Sequence, residues 1–210
     1  MHTLQDLHDY YIRTKPSTGK IRSASLLIIN LCQALGVDSA EEITSEQFAG
    51  IPATIERFYG TAYHKAIQDK SILAEMIGCY GPQNGWQETL EKLLSDPDEN
   101  LRQFTLRALG YLREVNVQLL IPYIERYLDD QNAVMREVAF HLIVRLLCTD
   151  QSEAMKERIL TWVRSGKKQI LEQLLKNLEN ESELSLLDDA AVNNVCRELI
   201  AWVKEQIKAQ

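Results

Sequence analysis

The side chains able to do chemistry are few and scattered. Four histidines stand at positions 2, 8, 64 and 141, each in a separate element, and four cysteines at 32, 79, 148 and 196, none near another in sequence. That spacing matches no CxxC metal or redox motif, and lone cysteines in apolar helical stretches read as small core residues. No GxSxG, HExxH, P-loop or GxGxxG pattern occurs, and the carboxylates are spread over helical solvent faces. The sequence therefore predicts no catalytic set, no cofactor and no bound metal: a non-enzymatic chain. The charged residues that do recur in a pattern are Asp96 and Asp130, each followed six residues later by an arginine, Arg102 and Arg136. An aspartate where a helix begins accepts from free backbone N–H groups and meets the positive helix end, so its expected role is structural.

These residues belong to a hairpin written twice. Leu94-Ser95-Asp96 with Leu101-Arg102 falls on Leu128-Asp129-Asp130 with Met135-Arg136 at a shift of 34 (128 − 94). Upstream, Leu90-Glu91 falls on Ile124-Glu125; downstream, Thr105, Leu109 and Leu112 fall on Ala139, Ile143 and Leu146. A repeat of this length with helical periodicity marks stacked helix pairs, none of which can bury its apolar face alone. On the second helices, Leu101, Thr105, Ala108, Leu109 and Leu112 are expected to face the core. Helical geometry then sends Gln103, Leu106, Arg107 and Gly110 outward, and in the next copy Glu137, Phe140, His141 and Val144.

Composition bounds the rest. The 210 residues are 45% hydrophobic and 25% charged with only nine Gly and five Pro, which favours helix over a loop-rich β chain. A formal charge of −7 disfavours general affinity for nucleic acid. No apolar run approaches the roughly 18 residues that span a membrane. The N-terminal Met1-His2-Thr3-Leu4-Gln5-Asp6 has no basic n-region, and with the free thiols this predicts a cytoplasmic protein.

Along the chain, a helix is expected from Leu4 to Thr14, stopping before Lys15-Pro16, and a second from about Ile21 to Leu35, ended by Gly36 in left-handed geometry. Thr44 with Gln47 reads as a capping box opening a third helix, which kinks at Pro52 or begins there. A fourth runs from Tyr63 to Cys79. Tyr80-Gly81-Pro82-Gln83-Asn84-Gly85 is the strongest breaker cluster, and it divides a helical subdomain, 1–80, from repeats with a C-terminal capping helix, 86–210. Seven basic and nine acidic residues precede that point, sixteen and twenty-one follow it, so neither half is a basic module. Beyond Leu147 a further pair is expected, Met155 to Val163 and Ile170 to Leu178, around Arg164-Ser165-Gly166. A loop follows through Glu179-Asn180-Glu181-Ser182-Glu183, and then a closing helix from Asp188 or Asp189 to Ile207. Trp86, Trp162 and Trp202 read as core or inter-hairpin packing.

Asp96-Pro97-Asp98 with Leu101-Arg102 and Ala108-Leu109-Gly110, echoed by Asp130, Met135-Arg136 and Ala139, resembles HEAT-like repeats, the helical hairpins of armadillo-type solenoid adaptors. The tetratricopeptide and ankyrin signatures are missing: no Thr-Pro-Leu-His occurs, and Trp86 lacks the Leu-Gly and Tyr that should follow. The resemblance implies an all-α fold, an α-α superhelix with an N-terminal four-helix subdomain. It also implies that Arg102 and Arg136 tie neighbouring hairpins together as a ladder. The concave face would bind a protein or peptide partner through Gln103, Leu106, Arg107, Glu137, Phe140 and His141. Lys15-Pro16-Ser17-Thr18 and Glu42-Ile43-Thr44 resemble the N-terminal core-binding domain of tyrosine recombinases. No Arg-His-Arg-Tyr constellation follows, so a helical cap for the repeats is the preferred reading. The alternative function is a nucleic-acid-associated protein of the HEAT-like DNA alkylation-repair type. Such glycosylases are similar in wrapping a duplex with a basic concavity, whereas Arg113, Arg145, Lys167 and Lys168 are dispersed here.

Overall fold

The computed structural model describes residues 31–39, 42–59, 63–111, 117–185 and 190–209; the expected helices before residue 31, Leu112, Arg113, Asp188 and Asp189 lie outside them. The described residues form an all-α structure without strands, in two compact units, Met1–Arg113 and Glu114–Gln210.

In the first unit a helical segment ends at Gly36. Its φ of +71° lets Val37 N–H donate to the Cys32 carbonyl and Gly36 N–H to that of Gln33, the left-handed ending expected there. Thr44 Oγ1 accepts from Gln47 N–H at 3.1 Å and Gln47 Oε1 from Thr44 N–H at 2.9 Å, completing the capping box of α1, Ser45–Ala49. Of the two outcomes expected at Pro52, a kink or a new start, the structure has the new start: α2, Ile51–Phe58, begins after Gly50 with Pro52 in its first turn. Proline has no N–H to give the Phe48 carbonyl, so a restart removes the deficit. The next helix, α3, spans Tyr63–Asn84 and runs through the breaker cluster to Gly85, φ +74°. Pro82 has no N–H for the Gly78 carbonyl, so the helix gives up that one bond two residues before it ends. Trp86 N–H donates to the Gly81 carbonyl, Asn84 Nδ2 to that of Tyr80 and Gln87 Nε2 to that of Pro82. The compact unit thus continues past residue 80, through α4, Gln87–Leu94, and α5, Glu99–Ala108, to a 3-10 turn, Leu109–Tyr111.

Helix α3 packs along α5 and also meets α2 and α4. Their core holds Ile51, Ile55, Leu73, Met76, Ile77, Leu90, Leu93, Leu101 and Leu109, all essentially without solvent contact. Phe48 sets its ring edge-on to Tyr80 and tilted on Trp86, with centroids 5.5 and 5.3 Å apart. The closest approach is at Gly78, where an added Cβ would stand 2.4 Å from the Ala108 Cβ and 2.9 Å from the Thr105 carbonyl oxygen.

The second unit contains α6, Val117–Leu128; α7, Ala133–Leu147; α8, Ser152–Arg164; α9, Gln169–Ser185; and α10, Ala190–Lys208. Helix α7 is packed by α6, α8 and α9, and α10 lies along α9. Gly166, φ +101°, ends α8 with the same pair of bonds as Gly36, Lys167 N–H to Trp162 and Gly166 N–H to Val163. Residues 179–183, expected as a loop, are helical within α9. The stripe Leu171, Leu174 and Leu178 is fully buried, which extends the helix's reason to persist.

The sequence repeat is reproduced atom by atom in the two turns. Asp96 Oδ1 accepts from Asp98 N–H at 2.8 Å, and Asp130 Oδ1 from Asn132 N–H at 2.8 Å. Asp98 and Asn132 then cap the second helices, accepting from Asn100 N–H and Val134 N–H, each at 2.9 Å. Arg102 Nη1 donates to the carbonyls of Asp96 and Pro97 at 2.6 and 2.9 Å; Arg136 Nη1 does the same to Asp130 and Gln131 at 2.6 and 2.9 Å. The arginines therefore clamp their own turns instead of bridging to a neighbouring hairpin. Ties between successive hairpins come from other pairs: Glu56 with Lys92 between α2 and α4, and Glu125 with Arg158 between α6 and α8.

Gly78→Ala should cost about 1–3 kcal/mol in urea unfolding, the range for overpacking, and Ala108→Gly in the same chain should restore part of it. Leu109 and Ile143 are both fully buried, at equivalent positions of the repeat. Replacing either with Ala should cost about 2–5 kcal/mol, while Arg107→Ala, on the surface, should stay within about 0.5 kcal/mol.

Candidate functional site

The residues expected to form the binding face divide between the units. On α5, Arg107 is exposed and Gln103 half-buried with its amide on Glu99 Oε1 at 3.0 Å, but Leu106 has no solvent contact. On α7, Glu137 is exposed and His141 half-buried, its Nε2 accepting from Arg145 Nε at 3.2 Å, whereas Phe140 is 5% exposed and Val144 4%. Leu106, Phe140 and Val144 are core residues because these helices are covered on more than one side: α5 by α3 and α4, α7 by three helices. The exposed aromatic on α5 is its neighbour Phe104, at 45%, although its repeat equivalent Val138 is buried.

Within the second unit, α7 and α9 enclose a groove of about 310 Å³. From α7 it takes Ala133, Arg136, Glu137 and Phe140, and from α9 Gln173, Lys176, Asn177 and Asn180. Glu137 and Phe140 of the expected face are thus together here, Phe140 being almost wholly buried. The four α9 residues escaped the sequence reading, which followed only the apolar stripe of that helix. Their spacing of i, i+3, i+4 and i+7 is the complementary polar stripe, so the signal was present. Asn177 Nδ2 donates to the Gln173 carbonyl at 2.8 Å. The side chains of Gln173, Lys176 and Asn180 make no hydrogen bond or ion pair among the described residues.

Glu125 joins α6 to α8, accepting from Trp162 Nε1 at 2.7 Å and from Arg158. Partial burial of Glu125 opposes its ionisation, but the Trp162 and Arg158 hydrogen bonds and the charges of Arg158 and Lys167 outweigh it and hold the carboxyl below its ordinary range. Lys167 pairs with Asp129, and Lys204 of α10 with Glu179 of α9 at 3.1 Å. Trp162 is therefore a packing residue with a polar handle, and Trp202 stacks under Lys156, 5.8 Å from its ring centroid. Cys32, Cys79 and Cys196 are buried as expected, but Cys148 is exposed as the residue ending α7.

The first unit holds a buried polar cluster at the turn. Lys70 Nζ stands 3.6 Å from Asp96 Oδ2 and 3.8 Å from the centroid of the Tyr59 ring. Burial, then the nearby carboxylates of Asp96 and Glu56, push the Tyr59 phenol well above its ordinary range. Desolvation alone pushes half-buried Glu75 of α3 up to about 7.

Among the described residues no helix is long and apolar enough to cross a membrane. The chain matches no protein-family model, no curated protein and no solved structure.

Glu75 makes stability depend on pH in a defined direction. Its folded-state pKa lies above the ordinary 4.5, so the folded chain holds a proton that the unfolded chain releases, and stability falls as pH rises from about 4.5 to 7. Glu75→Gln should remove that slope and exceed wild type above pH 7 by up to about 3 kcal/mol. Denaturant midpoints at pH 4.5 and 7.5 check this.

Proposed function

We propose that the chain is a HEAT-like helical-repeat module that binds a protein segment in the groove between α7 and α9, acting in the cytoplasm by binding and not by catalysis. The observation that carries this reading is the groove itself. It is lined by two packed helices, and the side chains of Gln173, Lys176 and Asn180 in it make no hydrogen bond or ion pair among the described residues. Gln173 and Asn180 each offer a donor and an acceptor, the combination that a polypeptide backbone also presents, and Phe140 adds an apolar edge. Glu137 supplies a charge on the α7 side. On the first unit, Gln103, Arg107 and the exposed ring of Phe104 offer a second polar and aromatic surface on α5. The reading as a duplex-binding repair protein is less well supported, because Arg136 and Lys176 stand beside Glu137 and the chain is acidic as a whole.

Affinity purification from native cells with wild type, Gln173→Trp and Arg107→Glu tests the proposal. Tryptophan at 173 should fill the groove, so the partner should be retained by wild type and Arg107→Glu and lost with Gln173→Trp, all three giving the same circular dichroism. Loss with Arg107→Glu alone would move the site to α5. Recovery of duplex DNA in place of protein would overturn the reading.

A further inference from the structure

The groove between α7 and α9 holds two cations that the fold leaves without a carboxylate. Arg136 is anchored through Nη1 to the carbonyls of Asp130 and Gln131, which fixes the plane of its guanidinium. Its Nε and Nη2 make no bond among the described residues, and neither does the ammonium of Lys176 across the groove. The one carboxylate in the lining, Glu137, is exposed and pairs with neither cation. The lining thus carries two positive charges against one negative, in a chain of net charge −7. A guanidinium held by one edge presents the other as a fork that matches a carboxylate, and because folding has already ordered it, little further entropy is lost on binding.

We infer that the groove takes an extended peptide carrying an aspartate or glutamate, whose carboxylate is shared by the free edge of Arg136 and by Lys176 while its backbone runs along Gln173 and Asn180. This rests on the groove being the protein-binding site and adds the chemistry of what it selects. The net positive lining supports an acidic segment over a basic one, since a like charge brought against Arg136 and Lys176 is repelled in a partly desolvated site.

A displayed library of random dodecapeptides, selected in parallel on the full chain and on its Lys176→Glu and Arg136→Lys variants, tests it. Peptides enriched on wild type should share an Asp or Glu. In a synthetic copy, changing that acid to its amide should weaken binding about tenfold, and added NaCl should weaken it further. Lys176→Glu should lose the enriched peptides to a similar degree; Lys176 makes no bond among the described residues, so its variant keeps the test valid if Arg136→Lys disturbs the turn. Enriched peptides that lack an acid, or acidic peptides bound equally by Lys176→Glu, would overturn the inference while leaving a peptide-binding groove in place. No enrichment on wild type would overturn both.

Discussion

A helix that stops inside a packed layer leaves backbone carbonyls and N–H groups that something must satisfy, and the two turns of this chain meet that requirement from within. In each, one aspartate organises the N–H two residues on, a second Asx residue caps the next helix, and an arginine six residues after the first aspartate closes over two consecutive loop carbonyls. Every partner is local. The turn's own hydrogen bonds therefore fix the direction of the second helix, and the approach of Ala108 to Gly78 in one unit and the placing of Arg136 in the other both depend on it. The arrangement also accounts for which positions repeat in sequence. Only the first aspartate and the arginine act through obligatory side chains. Pro97 and Gln131 contribute carbonyls, which any residue has, and Asp98 and Asn132 cap equally well.

That division of labour explains what could be read from the residues alone. The shift of 34 was legible because Asp96, Arg102, Asp130 and Arg136 are needed as side chains, and helix ends were legible where a residue type is forced, as at Gly36 and in the Thr44–Gln47 box. The passage of α3 through Gly81 and Pro82 was not, because a proline so near the helix end costs a single bond, that to the Gly78 carbonyl, and the side chains of Asn84 and Gln87 that satisfy the Tyr80 and Pro82 carbonyls carry no sequence signature. Leu106 and Phe140 were read outward for a different reason. Helical periodicity reports the phase of an apolar stripe but not how many neighbours flank the helix, and α5 and α7 are each covered by more than one. Half of the groove was visible from α7, through Glu137 and Phe140. The α9 half was missed because attention to buried leucines leaves the opposite stripe undescribed.

The groove lies where the repeat loses its own motif. Helix α7 follows a turn with both aspartate and arginine, whereas α9 follows Arg164-Ser165-Gly166, where a left-handed glycine replaces the aspartate turn and no clamping arginine is needed. Released from that duty, the exposed stripe of α9 carries Gln173, Lys176, Asn177 and Asn180, side chains that contribute little to the core. Opposite them stands Arg136, which the turn cannot release. A residue fixed by folding thus faces a stripe that folding leaves open. The rigid member is positioned by backbone carbonyls, to the tolerance of the turn itself, while the α9 stripe can be varied residue by residue with small cost to stability. For the binding role proposed for the groove, such a pairing is suited: the anchor would supply preorganisation and the open stripe selectivity.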